Sequence, residues 1–143
     1  MSFINKKKEM TEIYFPMTAN VLVKGHIKAL ELLNRQGFVT IGLLTSKALK
    51  GYKKELIPFE DRKYILETIA MALGNIDVVS QDNLDPSENI KKYKCTAIAS
   101  GDGFCAEELQ AIKKLKLKRI EFDSKCKLHS SNINDRRGKQ KKI

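Results

Sequence analysis

Long hydrophobic runs are missing from this chain of 143 residues. No apolar stretch approaches the ~20 residues that carry a helix across a bilayer, so no membrane-spanning helix is expected. Cysteine is scarce as well. Cys95, Cys105 and Cys126 are odd in number and no two share a C-x-x-C spacing, which argues against a disulfide framework and against a zinc site. Free thiols in a reducing cytoplasm are the expectation. The first eight residues, Met-Ser-Phe-Ile-Asn-Lys-Lys-Lys, have no hydrophobic segment after their charges, so they do not read as a secretory signal.

Acidic residues are outnumbered, leaving a net charge of +10. Lys6, Lys7 and Lys8 carry three of those charges and residues 136–143 carry five without an acid, so only +2 remains for everything between. The excess is therefore terminal, where segments pack least. Solvated tails are expected at 1–10 and 134–143, flanking one domain over 11–133. Binding of nucleic acid through those tails is the alternative that the charge motivates. An apolar fraction of 42% is enough for a chain of this length to build a core of its own.

Apolar periodicity sets the order of elements. Residues 12–17 read as a strand, and Ile27, Ala29, Leu30 and Leu33 mark one face of a helix that Gly37 closes at the C′ position. Residues 38–45 are nearly all apolar, the pattern of a strand covered on both faces in a parallel sheet. A polar loop over 46–58 leads to a helix over 60–73, which Gly74-Asn75 stops. Residues 76–80 form a third strand, and Asp85-Pro86 begins a helix running to about Tyr93. A strand over 96–100, a helix over 106–115 and a strand over 119–122 follow, with one helical turn or disorder after Ser130. This alternation predicts a three-layer α/β/α sandwich with a mainly parallel, five-stranded sheet.

Ligands of such sheets bind beyond the carboxyl ends of the strands, where strand order reverses. The segments leaving those ends (17–25, 45–54, 81–85, 100–104 and 123–131) hold most of the Gly, Lys, His and Asp punctuation. Gly25-His26 falls where a strand turns into a helix, so backbone donors and an imidazole meet a bound phosphate. A capping histidine without a ligand is the plainer reading of that pair. Lys47, Lys50, Lys53 and Lys54 surround Gly51-Tyr52 and are either anion-binding point charges or a solvated loop. In Ser100-Gly101-Asp102-Gly103-Phe104 the acid is a candidate ligand for Mg²⁺ or acceptor for a base, although many turns contain Gly-Asp-Gly.

The run Met17-Thr18-Ala19-Asn20-Val21-Leu22-Val23-Lys24-Gly25-His26 resembles the nucleotide-binding loop of the small cytidylyltransferases. The match extends through Gly42-Leu43-Leu44-Thr45, Tyr52-Lys53, the stretch over 58–67, residues 81–85, residues 89–93, Gly101-Asp102 and Ser130-Ser131. It covers residues 13–133 and is nearest to glycerol-3-phosphate cytidylyltransferases and to the cytidylyltransferase domains beside phosphoenolpyruvate mutase in phosphonate pathways. The chain departs from the pattern in four places. Asn20 stands for an Asp, Val23 for the first His of His-x-Gly-His, and Gly103-Phe104 for a second Asp and a Trp. The Arg before the Ser/Thr clamp is also missing, with Lys125 and Lys127 nearest to its place.

The resemblance implies a Rossmann-like nucleotidyltransferase fold and transfer of CMP from CTP to a small phosphate or phosphonate acceptor, with Mg²⁺ and release of pyrophosphate. Such transfer serves phosphonate or phospholipid and cell-envelope precursor metabolism. Thr18, Ala19, Gly25 and His26 would cradle the phosphates, with Lys24 beside them in place of the missing histidine. Lys50 and Lys53 would join His26 in catalysis. Arg62 would stand near the nucleotide, Gly101 and Asp102 near the base or metal, and Ser130 and Ser131 over the triphosphate. The departures leave a second expectation, a catalytically degenerate protein that only binds nucleotide. Helix residues Ile65, Leu66, Ile69, Met71 and Leu73 fit either one wide core face or a surface shared with a twin subunit, and the family resemblance implies a homodimer.

Overall fold

The computed structural model describes residues 11–101 and 103–122, together with the backbone of 128–129. Its elements run β1 (Thr11–Met17), α1 (Lys24–Gln36), β2 (Gly37–Leu44), α2 (Ser46–Leu49), α3 (Phe59–Leu73) and β3 (Ile76–Gln81). They continue α4 (Ser87–Lys92), β4 (Ala97–Ser100), α5 (Ala106–Leu115), β5 (Lys118–Phe122) and β6 (Leu128–His129). The strands join one sheet in the order β3-β2-β1-β4-β5-β6. Five are parallel, and the two-residue β6, not foreseen from the sequence, lies antiparallel against β5. The chain is an α/β protein of Rossmann-like fold. The expected basic tails at 1–10 and 134–143, which motivate the nucleic-acid alternative, lie outside the described residues.

Strand periodicity assigns side chains to two cores. Ile13, Phe15 and Met17 point to the face where α1 and α3 deliver Leu30, Leu33, Leu66 and Ala70. Tyr14, between them, points to the other face with Ile90, Cys95, Ile98 and Phe104. The chain moves outward through β2 and β3, then returns past β1 to form β4 and β5. With crossovers of one hand, that reversal puts α4 and α5 on the face opposite α1 and α3. Leu30, Leu33 and Leu66 are fully buried, each a side chain whose burial stabilises by about 1.5–3 kcal/mol.

Gly37 corrects the sequence reading. Its φ of 172° is extended rather than left-handed, so it is not a C′ glycine, and α1 passes straight into β2. The glycine is required instead by close approach, because a Cβ there would lie 2.0 Å from the carbonyl oxygen of Thr11. The loop expected over 46–58 likewise opens with the short helix α2, whose third amide is capped by Thr45 Oγ1 accepting from Ala48 N. Helix α3 divides its apolar residues. Leu66 and Ala70 are buried and Ile69 and Leu73 pack on the core, whereas Tyr64, Ile65 and Met71 are exposed.

Arg62, on the first turns of α3, is fully buried. Its Nη1 donates to the carbonyls of Thr18 at 2.9 Å and Leu44 at 2.6 Å, and its Nε donates to that of Ile57 at 2.8 Å. Nη2 donates to the Glu55 carboxylate, which also accepts from Ser46 Oγ. Those two hydrogen bonds hold the Glu55 carboxyl below its usual range. One planar fork thus ties the ends of β1 and β2 to the approach to α3. Replacing Arg62 with Ala leaves buried carbonyls without donors, and a loss of about 3–5 kcal/mol is expected from such a network. Urea unfolding followed by circular dichroism measures it, and a loss under about 1 kcal/mol, the size of a surface contact, would refute this role for the guanidinium.

Candidate functional site

Strand order reverses between β1 and β4, and a pocket of about 260 Å³ opens at their carboxyl ends. Its walls come from three segments: Thr18, Ala19, Asn20, Val21 and His26 after β1, Tyr52 and Lys53 after α2, and Ser100, Gly101, Gly103 and Glu108 after β4. Ala19 adopts φ 57°, a left-handed conformation costly for a residue with a side chain. Strained backbone of this kind concentrates at ligand sites. A larger groove of about 900 Å³, lined by Asn83, Asp85, Glu88, Lys91 and Lys92, lies elsewhere and is open to solvent. The smaller pocket is the better candidate because it combines the reversal point, backbone strain and convergent polar groups.

Val23 is the N-cap residue of α1, and a valine side chain cannot accept from the helix amides. His26 closes the turn from the other side, its Nδ1 accepting from the Val23 N–H at 3.1 Å. A neutral imidazole that accepts through Nδ1 carries its proton on Nε2, so Nε2 is a donor. The first turn of α1 contains no acid, so the positive end of the helix is not offset there. The capping reading of Gly25-His26 and the phosphate reading are therefore compatible. One ring nitrogen caps the helix and the other remains for a ligand.

Asn20 joins two walls of the pocket. Its Nδ2 donates to the Lys54 carbonyl at 2.7 Å, and its Oδ1 accepts from the Leu56 N–H at 2.9 Å. An aspartate could make the second bond but not the first, which gives a physical reason for an amide where the cytidylyltransferase pattern has an acid. Gly103 also has local cause, since φ is 91° there, a region that disfavours the expected Asp. Phe104 is buried in the second core, with the Arg119 guanidinium 5.4 Å from its ring centre. Ser100 Oγ donates to the Gly103 carbonyl at 2.6 Å and closes this turn.

The pocket brings together Thr18, Ala19, His26, Lys53 and Gly101 of the residues expected from sequence. Lys24 and Lys50 are exposed and do not line it, and Gly25 is partly buried on the first turn of α1. Arg62 lies beneath the loop, fully buried, holding the Thr18 carbonyl. Asp102, Ser130 and Ser131 lie outside the described residues. Glu108 was not foreseen. It lines the pocket and one carboxylate oxygen accepts from the Cys105 N–H at 3.0 Å. Burial raises its ionisation above the usual carboxylate range, partly opposed by the Cys105 hydrogen bonds and by the charge of Lys53. The signal was present as Cys-x-x-Glu one residue after Gly-Asp-Gly, a spacing that puts a capping acid at a helix start.

Neither described cysteine suits nucleophilic chemistry. Burial pushes the thiols of Cys95 and Cys105 up to about 11, so both remain protonated near neutrality.

No family model matches the sequence, and no curated protein matches it. Solved structures share the fold, and two of them illustrate it. One is the lipopolysaccharide core biosynthesis protein from Thermoplasma volcanium GSS1, with 15% identity and a TM-score of 0.64, the match covering 78% of this chain and 95% of that one. The other is a protein with unknown function from Archaeoglobus fulgidus, with 15% identity and a TM-score of 0.61, covering 79% of this chain and 90% of that one. At these identities the likeness shows the fold alone.

Two measurements check the site as described. Asn20→Asp is expected to destabilise by about 1–2 kcal/mol, because a carboxylate then faces the Lys54 carbonyl. A variant at least as stable in urea as the parent would refute the bridging role of the amide. At pH 8, Cys95 and Cys105 are expected to resist iodoacetamide in the native protein and to label on unfolding, as peptide mapping by mass spectrometry would show. Rapid native labelling at either would contradict a thiol pushed up to about 11.

Proposed function

We propose that the protein is a nucleotidyltransferase that binds CTP in the pocket at the ends of β1 and β4 and transfers CMP to a small phosphate or phosphonate acceptor. The observation that carries this reading is the geometry of His26, whose Nδ1 is engaged by the Val23 N–H while the residue lines the pocket. The Nε2–H is then a preset donor for a phosphoryl oxygen, in a loop that resembles the cytidylyltransferase signature. The Thermoplasma volcanium neighbour, a lipopolysaccharide core biosynthesis protein, is in keeping with a role in building cell-envelope precursors.

The reaction is in-line displacement at the α-phosphorus. An acceptor oxygen forms the new P–O bond, the bond to the β-phosphate oxygen breaks, and pyrophosphate leaves. Little covalent work falls to the protein in such chemistry, and positioning with charge stabilisation supplies the rate. His26 donates to phosphate oxygens as charge grows on them, and the Lys53 ammonium offsets the triphosphate charge from the facing wall. Lys24 and Lys50, exposed near the rim, fit an approaching acceptor anion. Asp102, Ser130 and Ser131 complete the nucleotide site in this proposal.

Among the described residues no three His, Cys, Asp or Glu side chains cluster to form a metal cage. In this reading Mg²⁺ arrives on the nucleotide phosphates, where it needs only one or two protein carboxylates, and the ion when bound lowers the charge of the triphosphate. A homodimer belongs to the same reading, with Tyr64, Ile65 and Met71 exposed on the outer side of α3 as its contact surface. A second reading, nucleotide binding with little turnover, is favoured by Val23, exposed where the family pattern has a donor.

Thermal unfolding with CTP and Mg²⁺ tests the binding step, since a ligand of the native state raises the midpoint by mass action. A rise of several degrees at millimolar CTP is expected, and no rise with any nucleoside triphosphate would refute both readings. Pyrophosphate release with a panel of phosphate and phosphonate acceptors tests the transfer. His26→Ala is expected to slow it by about 10²–10³-fold, the cost of one preset donor. Full activity in that variant would remove His26 from the phosphate site.

A further inference from the structure

The pocket is polarised. His26 presents a donor on one wall and Lys53 a cation on the second, but the third, after β4, carries the carboxylate of Glu108. Phosphate oxygens are attracted to the first two and repelled by the last. A ligand that is anionic throughout would not use this cavity well. One that is anionic at one end and offers N–H or O–H donors at the other would match it from end to end. Resting on the reading above, we propose that Glu108 is a nucleoside-binding residue, accepting a hydrogen bond from an exocyclic amine or a ribose hydroxyl and so setting the ligand's direction in the pocket.

Helix capping does not account for Glu108 by itself. The Cys105 N–H occupies Oε1, and a cap of that kind needs no placement on a cavity wall. Its neighbour Glu107, one residue earlier on the same helix, is exposed and shows the solvated alternative. Glu108 instead is partly buried, in a position where its charge is penalised by lost hydration and supported by Lys53. Carboxyl groups held under that penalty inside a cleft are candidates for ligand contact. A carboxylate is also suited to reading an amine of cytosine or a sugar hydroxyl, because it only accepts.

The cap gives the test its sharpness. In Glu108→Gln the amide oxygen remains available to the Cys105 N–H, so the helix start is retained. The other branch of the side chain, however, becomes an NH₂ donor facing the ligand's donor. Titration calorimetry of the parent and this variant with CTP, UTP, 2′,3′-dideoxyCTP and inorganic triphosphate, with and without Mg²⁺, separates the outcomes. Thermal unfolding checks that the variant is folded, and Glu108→Ala serves as a second variant.

The expected result is a CTP affinity about tenfold weaker in Glu108→Gln, the size of one charge-assisted hydrogen bond, with inorganic triphosphate unaffected or tighter. Weakening for CTP and dideoxyCTP but not UTP identifies the base amine as the donor. Weakening for CTP and UTP but not dideoxyCTP identifies a ribose hydroxyl. No weakening, equal weakening of every ligand including inorganic triphosphate, or weakening only with Mg²⁺ present would overturn the proposal. The parent binding no nucleotide at all would instead refute the proposed function.

Discussion

One guanidinium sets the shape of the rim. The carboxyl ends of β1 and β2 stay paired as far as Met17 and Leu43, and the carbonyls of Thr18 and Leu44 just beyond that pair need donors. Arg62 resolves this by donating to Thr18 and Leu44 together, and to Ile57 on the way into α3. The carboxylate of Glu55 balances its charge from the remaining side. Without such a partner a buried cation would be strongly disfavoured. Asn20 extends the same lattice by joining the loop after β1 to residues 54 and 56. The pocket therefore stands on a polar scaffold, while the apolar cores hold the sheet behind it.

Most of the architecture was legible because its signals are periodic. Strands such as β2, apolar almost throughout, and helices such as α5, with its 10 residues bounded as expected, follow from burial on one or both faces. Signals that depend on tertiary approach were not legible. Gly37 looks like a helix terminator in sequence, and only its 2.0 Å approach to Thr11 shows that space, rather than a left-handed φ, requires glycine. The two-residue β6 is too short to leave a pattern. Arg62 was expected near the nucleotide from its place in the resemblance, and its bonds to the carbonyls of Thr18, Leu44 and Ile57 could not be read from the sequence.

The site was legible in the same uneven way. Gly25-His26 after an apolar strand locates the helix start, and Gly101 locates the facing turn. Glu108 escaped because one polar residue in an amphipathic helix is ordinary, and its significance comes from the wall it occupies. The departures from the cytidylyltransferase pattern become intelligible as local solutions. Asn20 supplies a donor that an acid lacks, Gly103 accepts a positive φ of 91°, and Phe104 fills the second core. Each serves the packing of this chain. Val23 has no such account, for it is exposed at the N-cap and nothing in the structure explains a valine there.

On the face away from α1 and α3, Tyr14 donates to Gln81 Oε1 at 2.6 Å and accepts from Asn89 Nδ2 at 2.9 Å, inside the sheet's second core. Room for its hydroxyl exists because residue 42 has no side chain. A Cβ there would lie 1.9 Å from the tyrosine oxygen. Neither position can drift alone. Any larger residue at 42 collides with the phenol, and a residue at 14 without a hydroxyl takes away the donor to Gln81 Oε1, although the Gln81 and Asn89 amide nitrogens keep the Asn83 and Ser80 carbonyls. A side chain at 42 therefore requires a change at 14 as well, so the two strands are coupled through one hydroxyl and one missing Cβ.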